Sequence, residues 1–321
     1  MSTSSIDQLL SNLPASIWEK IAKIDELKGQ WVGGAKLSPQ ILGRLKQSVL
    51  ITSTGASTRI EGARLSDEDI EKMMRGISIQ HFSDRDKQEV QGYFELLTNV
   101  FDSWQELHFS ENLVKHFHQE LLKYVEKDKL HRGEYKTFEL IEQTKAAIQN
   151  HSYHPLLIIA HFIVQFLQIH PFEDGNGRLS RILTNFLMLQ AGYVYMPYVS
   201  HEKLVEDNKP DYYMALRKSQ KTLKTAEATI VPWLDFFLEA IYQQSKVAIE
   251  LLSTENLEKL FSPTQMKVWQ YIVQNHEARP LELSTQLSIP RPTINQVVTK
   301  LMVLKKVERL GQGRSTYYRL I

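Results

Sequence analysis

The stretch that most limits the fold is residues 155–169, PLLIIAHFIVQFLQI. A run apolar nearly all round, at helical length, marks a helix at the centre of the protein rather than on its surface. Most other segments also read at helical period. Pro39–Thr54 places Ile41, Leu42, Leu45 and Val49 on one face, and Ser66-Asp67-Glu68-Asp69 starts a helix through a capping box, ending near Gly76. Lys87–Val100, Glu111–Val125, Leu179–Gln190, Glu202–Ser219 and Ile230–Leu252 predict further helices. Gly133–Gln149 differs, because Tyr135, Thr137, Phe138, Leu140, Ile141 and Thr144 lie among turn-prone ends and predict a short β-hairpin. The expected class is mainly α with that small hairpin.

Ser253–Pro263 starts polar and ends in Ser-Pro, which suggests a boundary. Beyond it come expected helices Thr264–Asn275, Leu281–Leu287 and Thr293–Leu304. Two β-prone runs follow, Val307–Leu310 and Ser315–Leu320, joined by Gly311–Arg314. Helix, helix, helix, hairpin is the order of a winged helix-turn-helix. Three regions are expected: 1–85, 86–252 and 262–321. Ser262–Ile321 holds nine Lys/Arg and three Glu, a net +6, which leaves −5 for the rest of a chain whose formal total is +1. Thr293, Asn295, Gln296, Thr299 and Lys300 would line the recognition helix, with Arg314 at the wing tip. DNA fits that face, and so does a protein surface used for docking or homodimerisation.

With no cysteine, disulfides and thiol chemistry are excluded. The start, Met1–Pro14, lacks a basic then apolar leader, and no segment approaches ~18 uncharged apolar residues. The expected address is the cytoplasm, with no membrane partner.

Residues 170–181 read HPFEDGNGRLSR between two apolar helices. Pro171 disfavours the helical region for the residue before it, so the first helix should finish by His170 and display its imidazole. Phe172 would anchor the loop in the core. Gly175 and Gly177 flank Asn176 and let successive N–H groups point into one concavity. The loop runs into a helix N-terminus, which favours an anion. Arg178 and Arg181 sit three apart on one face, where guanidinium forks match phosphate oxygens. Asp174 is placed to hold a Mg²⁺ that bridges phosphates. His170 is the side chain there suited to general-base work near neutral pH. Together the residues read as a site for a nucleotide's phosphates.

This stretch resembles the signature of the Fic (filamentation induced by cAMP) family, His-Pro-Phe-x-(Asp/Glu)-Gly-Asn-Gly-Arg-x-x-Arg, and matches it at every specified position. The resemblance implies a helical Fic core over 86–252 that transfers AMP from ATP to a Ser, Thr or Tyr hydroxyl of a protein target, itself included. In that reading His170 deprotonates the hydroxyl and Asp174 binds Mg²⁺. Asn176 and the loop amides (Gly175, Gly177) hold the α- and β-phosphates, Arg178 contacts the β-phosphate, and Arg181 reaches the γ-phosphate. A Lys replaces the second glycine in the kinase-like branch, so Gly177 implies nucleotidyl transfer, with pyrophosphate leaving. The family's flap would be the hairpin with Tyr135, Thr137 and Thr144. Tyr212, Tyr213 and Leu216 could line an adenine pocket, or be core.

Ser57-Thr58-Arg59-Ile60-Glu61-Gly62 puts Ser57 and Glu61 four apart on a helix that Gly62 stops. A carboxylate at that end is disfavoured and wants a cation. Arg59 or Lys46 would serve a surface Glu. The segment also resembles the Fic inhibitory motif, (Ser/Thr)-x-x-x-Glu-(Gly/Asn), which implies that Glu61 pairs with Arg181 and blocks the γ-phosphate. In some relatives the same Glu also activates water to remove AMP. A nucleotide-sensing DNA-binding regulator and transfer of UMP or phosphate are the competing expectations.

Overall fold

A computed structural model describes residues 6–34, 37, 39–76, 84–125, 139–223, 225–252, 262–303, 306–311, 313 and 316–320. The chain divides into two compact units, Met1–Leu252 and Ser253–Ile321. No helix is long and apolar enough to cross a membrane among the described residues.

The first unit is helical throughout its described residues. It runs α1 (Ile6–Leu10), α2 (Ala15–Gly34), α3 (Pro39–Ile60), α4 (Asp67–Met74), α5 (Asp84–Ser103), α6 (Glu111–Leu121), α7 (Glu139–Gln149), α8 (Pro155–Ile169), α9 (Asn176–Gln190), α10 (His201–Asp207), α11 (Lys209–Thr222) and α12 (Val231–Leu252). The all-apolar segment takes the position its composition demands. Every residue of α8 from Leu156 to Phe166 is buried, with α7, α9, α11 and α12 packed around it. Fully burying each of its large aliphatic or aromatic side chains stabilises by roughly 1.5–3 kcal/mol. The Trp233 indole adds a buried hydrogen bond across the core, from Nε1 to the Ala160 carbonyl at 2.8 Å.

The capping box acts as read. Ser66 caps α4, accepting from the Asp69 N–H while Asp69 returns a bond to the Ser66 N–H. Gly92 lets α5 approach α6, since a Cβ there would overlap the Leu121 carbonyl.

The expected hairpin over Gly133–Gln149 is corrected. Tyr135 and Thr137 lie outside the described residues, but Glu139–Gln149 is α7. Leu140, Ile141, Thr144 and Ala147 are buried at helical spacing against α8, and Thr144 Oγ1 donates to the Leu140 carbonyl one turn back. Thr144 is therefore a core position of a helix, not part of a flap. Several helix boundaries also move, with α5 running Asp84–Ser103 rather than Lys87–Val100 and α6 ending at Leu121 rather than Val125. α3 continues beyond Thr54 to Ile60, α9 starts three residues before Leu179, and Asn208-Lys209-Pro210 splits the helix expected over Glu202–Ser219 into α10 and α11. Pro210 lies in the first turn of α11, where its missing N–H costs nothing.

The second unit runs α13 (Pro263–Asn275), β1 (Glu277–Ala278), α14 (Pro280–Leu287), α15 (Arg291–Val303), β2 (Val307–Leu310) and β3 (Tyr317–Leu320). The strands form an antiparallel sheet in the order β1-β3-β2, with Val307 opposite Leu320 and Ala278 opposite Tyr318. Val268, Ile272, Leu283, Ile294, Val298 and Leu301 form its core with Val307 and Tyr318. The three helices and closing hairpin appear in the expected order. β1, too short to carry a periodic signal, was not foreseen.

Candidate active site

The site is built where α8 stops and α9 starts. His170 ends α8 in the left-handed region, with φ 53° and ψ 61°, and its N–H donates to the Phe166 carbonyl. A non-glycine residue held there stores strain of order 1 kcal/mol, which the surroundings must enforce. They do so on both sides: α8 is buried, and Phe172 inserts into the core two residues later. Phe172 stacks on His118 of α6 with ring centroids 3.8 Å apart and planes 9° from parallel. His118 Nε2 meets the Asp174 carbonyl at 2.9 Å, which fixes the loop from below. His170 itself is exposed.

Asn176 closes the loop. Its Oδ1 accepts from the Phe172 N–H at 3.1 Å, and its Nδ2 donates to the Phe172 carbonyl at 2.8 Å. The resemblance assigned Asn176 to phosphates; its carboxamide binds both backbone groups of Phe172 and so shapes the concavity. Gly175 caps α9 at φ 81°, so its backbone geometry is one that L side chains rarely adopt.

Asp174, Arg178, Arg85 and Glu89 form one cluster of two acids and two guanidiniums. Arg178 is almost fully buried and donates from Nη2 to Asp174 Oδ2 at 3.0 Å. Its Nη1 lies 2.9 Å from Glu89 Oε2, close enough for an ion pair but off hydrogen-bond alignment. Arg85 reaches both Glu89 Oε1 and Asp174 Oδ2, at 2.8 and 3.1 Å. Burial raises the Asp174 carboxyl, but the Arg178 charge, the Gly175 N–H and Arg85 together hold it below the usual carboxylate range.

Arg181 is the second buried guanidinium. Its Nε donates to Ser57 Oγ at 2.8 Å, and Nη2 donates to the Ser57 carbonyl at 3.0 Å and to Glu61 Oε1 at 2.7 Å. Burial works against the charge, but Glu61, Tyr212 and Tyr93 together outweigh it, so Arg181 sits above the ordinary arginine value. Its Nη1 is buried without an aligned hydrogen bond, although the Tyr212 phenol faces the same guanidinium. The other cations considered for Glu61 have different partners. Arg59 grips Glu206 through Nε and Nη2 and Asp67 through Nη1, while Lys46 pairs with Asp102. Arg59 thereby locks the end of α3 to α10 and α4, and Gly62, at φ 106°, turns the chain away.

Glu61 also lies against the start of α9. A Cβ on Gly177 would overlap Glu61 Oε1, and would stand 3.0 Å from its Cδ and 3.5 Å from Arg181 Nη1. A carboxylate thus occupies the concavity at a helix N-terminus, the position suited to a phosphate.

Behind the clamp is a polar network that the sequence did not reveal. Glu202 is fully buried and accepts from Tyr93 Oη at 2.8 Å and Asn185 Nδ2 at 2.6 Å. Asn185 also donates to the Arg181 carbonyl, and Ser57 lies within hydrogen-bond reach of Tyr93. These residues come from α3, α5, α9 and α10, too far apart in sequence to signal one another. His118 did leave a trace, as a lone polar residue on the apolar stripe Leu113, Val114, Phe117, Leu121.

Tyr212 and Leu216 are buried core residues. Tyr212 packs edge-on against Trp233 and Phe236, with centroids 5.8 and 5.6 Å away, and Tyr213 is half-buried beside it. Among the described residues no group of three His, Cys, Asp or Glu could hold a metal alone. A single carboxylate, Asp174, at the mouth of the concavity suits Mg²⁺, which takes most of its ligands from phosphates and water.

Comparison with known proteins agrees with this geometry. Residues 108–188 match the model of the Fic/DOC family. Protein adenylyltransferase Fic of Drosophila virilis is 31% identical over 140 residues, 40% of this chain and 26% of that protein. The protein of the same name from Drosophila mojavensis is 49% identical over 45 residues, 14% of this chain and 9% of its own. The chain therefore spans about a quarter or less of the length of these relatives. A Fic family protein from Desulfovibrio desulfuricans G20 superposes with a TM-score of 0.63 at 21% identity, over 97% of both chains. Fic-1 of C. elegans (residues 134–508) gives a TM-score of 0.63 at 19% identity, over 75% of this chain and 74% of that one. At such identities these two establish the fold.

Proposed function

We propose that this chain, which carries a Fic domain over residues 108–188, transfers AMP from ATP to a hydroxyl of a protein target and is held off by Glu61. The observation that carries the reading is the Glu61–Arg181 ion pair at the N-terminus of α9. ATP brings phosphates to the place where Glu61 now supplies the anion. When Glu61 withdraws, Arg181 loses its carboxylate partner and is left as a buried cation, with Ser57 still holding Nε and Nη2. Nη1 already lacks an aligned partner beside Gly177. A phosphate restores the balance of charge.

His170 is the general base. It stands exposed at the rim, oriented by the buried end of α8, where a target hydroxyl can reach it. Asp174 would hold Mg²⁺, which neutralises charge on the phosphates when bound. Arg178 is the fixed cation at the floor, and the loop closed by Asn176 and Phe172 presents N–H groups to the phosphates. Because Ser57 orients Arg181 in both states, the clamp changes charge balance more than shape.

The test uses three proteins, wild type, Glu61→Gly and Glu61→Gly/His170→Ala, incubated with Mg²⁺ and α-labelled ATP alone and with a cell lysate. A charge-assisted hydrogen bond contributes about 1.5–3 kcal/mol. Its loss should raise labelling by roughly 10- to 100-fold in Glu61→Gly, since activity follows the unclamped fraction. The double variant should be unlabelled. Equal, low labelling in all three, with ATP binding intact, overturns the reading.

A further inference from the structure

We propose that the second unit docks on duplex DNA, with the exposed stripe of α15 in the major groove. The unit has a three-residue turn, Ser288-Ile289-Pro290, between α14 and α15. Ser288 is left-handed at φ 53°, and Ile289 is tucked into the unit's core. Two helices joined in this way, the second followed by a hairpin, present that second helix outward. α15 divides cleanly. Ile294, Val297, Val298 and Leu301 face the core, whereas Arg291, Asn295, Gln296 and Thr299 are exposed at steps of about one turn. Thirteen residues make a rod about 20 Å long.

The chemistry of that stripe names the partner. Arg291–Val303 contains no carboxylate. The three acids of residues 262–321 are elsewhere. Glu308 pairs with Arg319 on the sheet, Glu282 turns to the Tyr271 hydroxyl and the Arg279 N–H, and Glu277 lies on β1. Residues 262–321 carry a net +6, while the remainder of the chain carries −5, so a polyanion is attracted here in particular. Exposed carboxamides of Asn and Gln read adenine edges through paired donors and acceptors, and a Thr methyl meets the thymine methyl. Lys267, Arg279, Arg291 and Arg309 are exposed around the unit and suit phosphates. A helix of this bulk enters the major groove of B-form DNA but not the deep, narrow one of an RNA duplex, which separates the two nucleic acids. The stripe exposes no large apolar side chain of the kind that anchors a protein interface. The expected Arg314 contact lies outside the described residues.

The test uses the full chain and fluorescein-labelled 30-base-pair duplexes, first as a randomised pool subjected to rounds of selection, then as the enriched sequence against a scrambled one. Selection should enrich a short consensus. With roughly four phosphates neutralised, affinity should fall about a hundredfold between ~50 and ~200 mM salt. Asn295→Ala/Gln296→Ala, both solvent-facing, should lose at least about tenfold of the preference for the enriched site while keeping salt-sensitive binding to the scrambled one. Arg291→Ala should weaken both duplexes alike. No binding to duplex at ~50 mM salt, no consensus after selection, tighter binding to a matched RNA duplex, or an unchanged preference in the double variant would each overturn the proposal. None of these outcomes depends on AMP transfer by the first unit.

Discussion

The contact between Glu61 and Gly177 can be tested without any catalytic readout. Gly177 is the second residue of α9, and its φ does not lie in the left-handed region. Alanine is favoured over glycine in a helix by about 0.5–1 kcal/mol, with the smaller figure apt for a first turn. The added Cβ, however, would overlap Glu61 Oε1 and force the carboxylate off Arg181. That costs up to about 1.5–3 kcal/mol for a charge-assisted hydrogen bond, reduced to roughly 1.5 because the Glu61 side chain keeps 33% of its exposure. Gly177→Ala should therefore destabilise the wild type by about 1 kcal/mol, or roughly 2–4 °C in Tm for a unit of this size. In the Glu61→Ala background the Cβ keeps only an ordinary contact with Arg181 Nη1 at 3.5 Å, and the same substitution should stabilise by about 0.5 kcal/mol. Scanning calorimetry of the four proteins without nucleotide measures the cycle. A shift of the same sign and size in both backgrounds would refute a clamp seated on Gly177.

Three other expectations follow from neighbouring contacts. Tyr93→Phe removes the hydroxyl that donates to the buried Glu202, and should lower stability by about 1–3 kcal/mol in urea titrations, far more than an exposed Tyr→Phe change. Burial pushes the His161 imidazole down to about 4, so between pH 6.5 and 4 the unfolded chain binds a proton that the folded chain refuses. Stability should fall as pH drops through that window, by about 3 kcal/mol in full, and His161→Leu should flatten that part of the pH profile. Glu61→Ala should also enlarge the Tm shift induced by Mg²⁺ and ATP. A tenfold gain in affinity corresponds to about 1.4 kcal/mol, or roughly 3–5 °C, and an unchanged shift would count against competition between Glu61 and phosphate.

The legible parts of this protein are those whose physics is local. An apolar fifteen-residue run had to be a central helix, and Pro171 and Gly175 had to break and re-aim the chain between α8 and α9. Twelve consecutive residues therefore disclosed the loop and the two guanidiniums proposed to meet phosphates. Ser66 capped its helix because a capping box is complete within four residues. The C-terminal helices and hairpin were legible for the same reason. Where local signals were weak, packing decided. Residues 139–149 carry β-prone side chains, yet Leu140, Ile141, Thr144 and Ala147 became one helical face because α8 offers a surface to bury it on.

Long-range pairing was out of reach for a different reason. On residue chemistry alone the sequence offered Glu61 the cations Arg59 or Lys46, and only the family resemblance pointed to Arg181. Tertiary structure chose, by giving Arg59 to Glu206 and Asp67, giving Lys46 to Asp102, and burying Arg181 beside Ser57. The joining of Tyr93, Asn185 and Glu202 behind Arg181 depends likewise on helices distant in sequence meeting at one point. Helical period and turn chemistry act over a few residues, whereas a buried charge is satisfied by whatever the fold brings within about 3 Å of it.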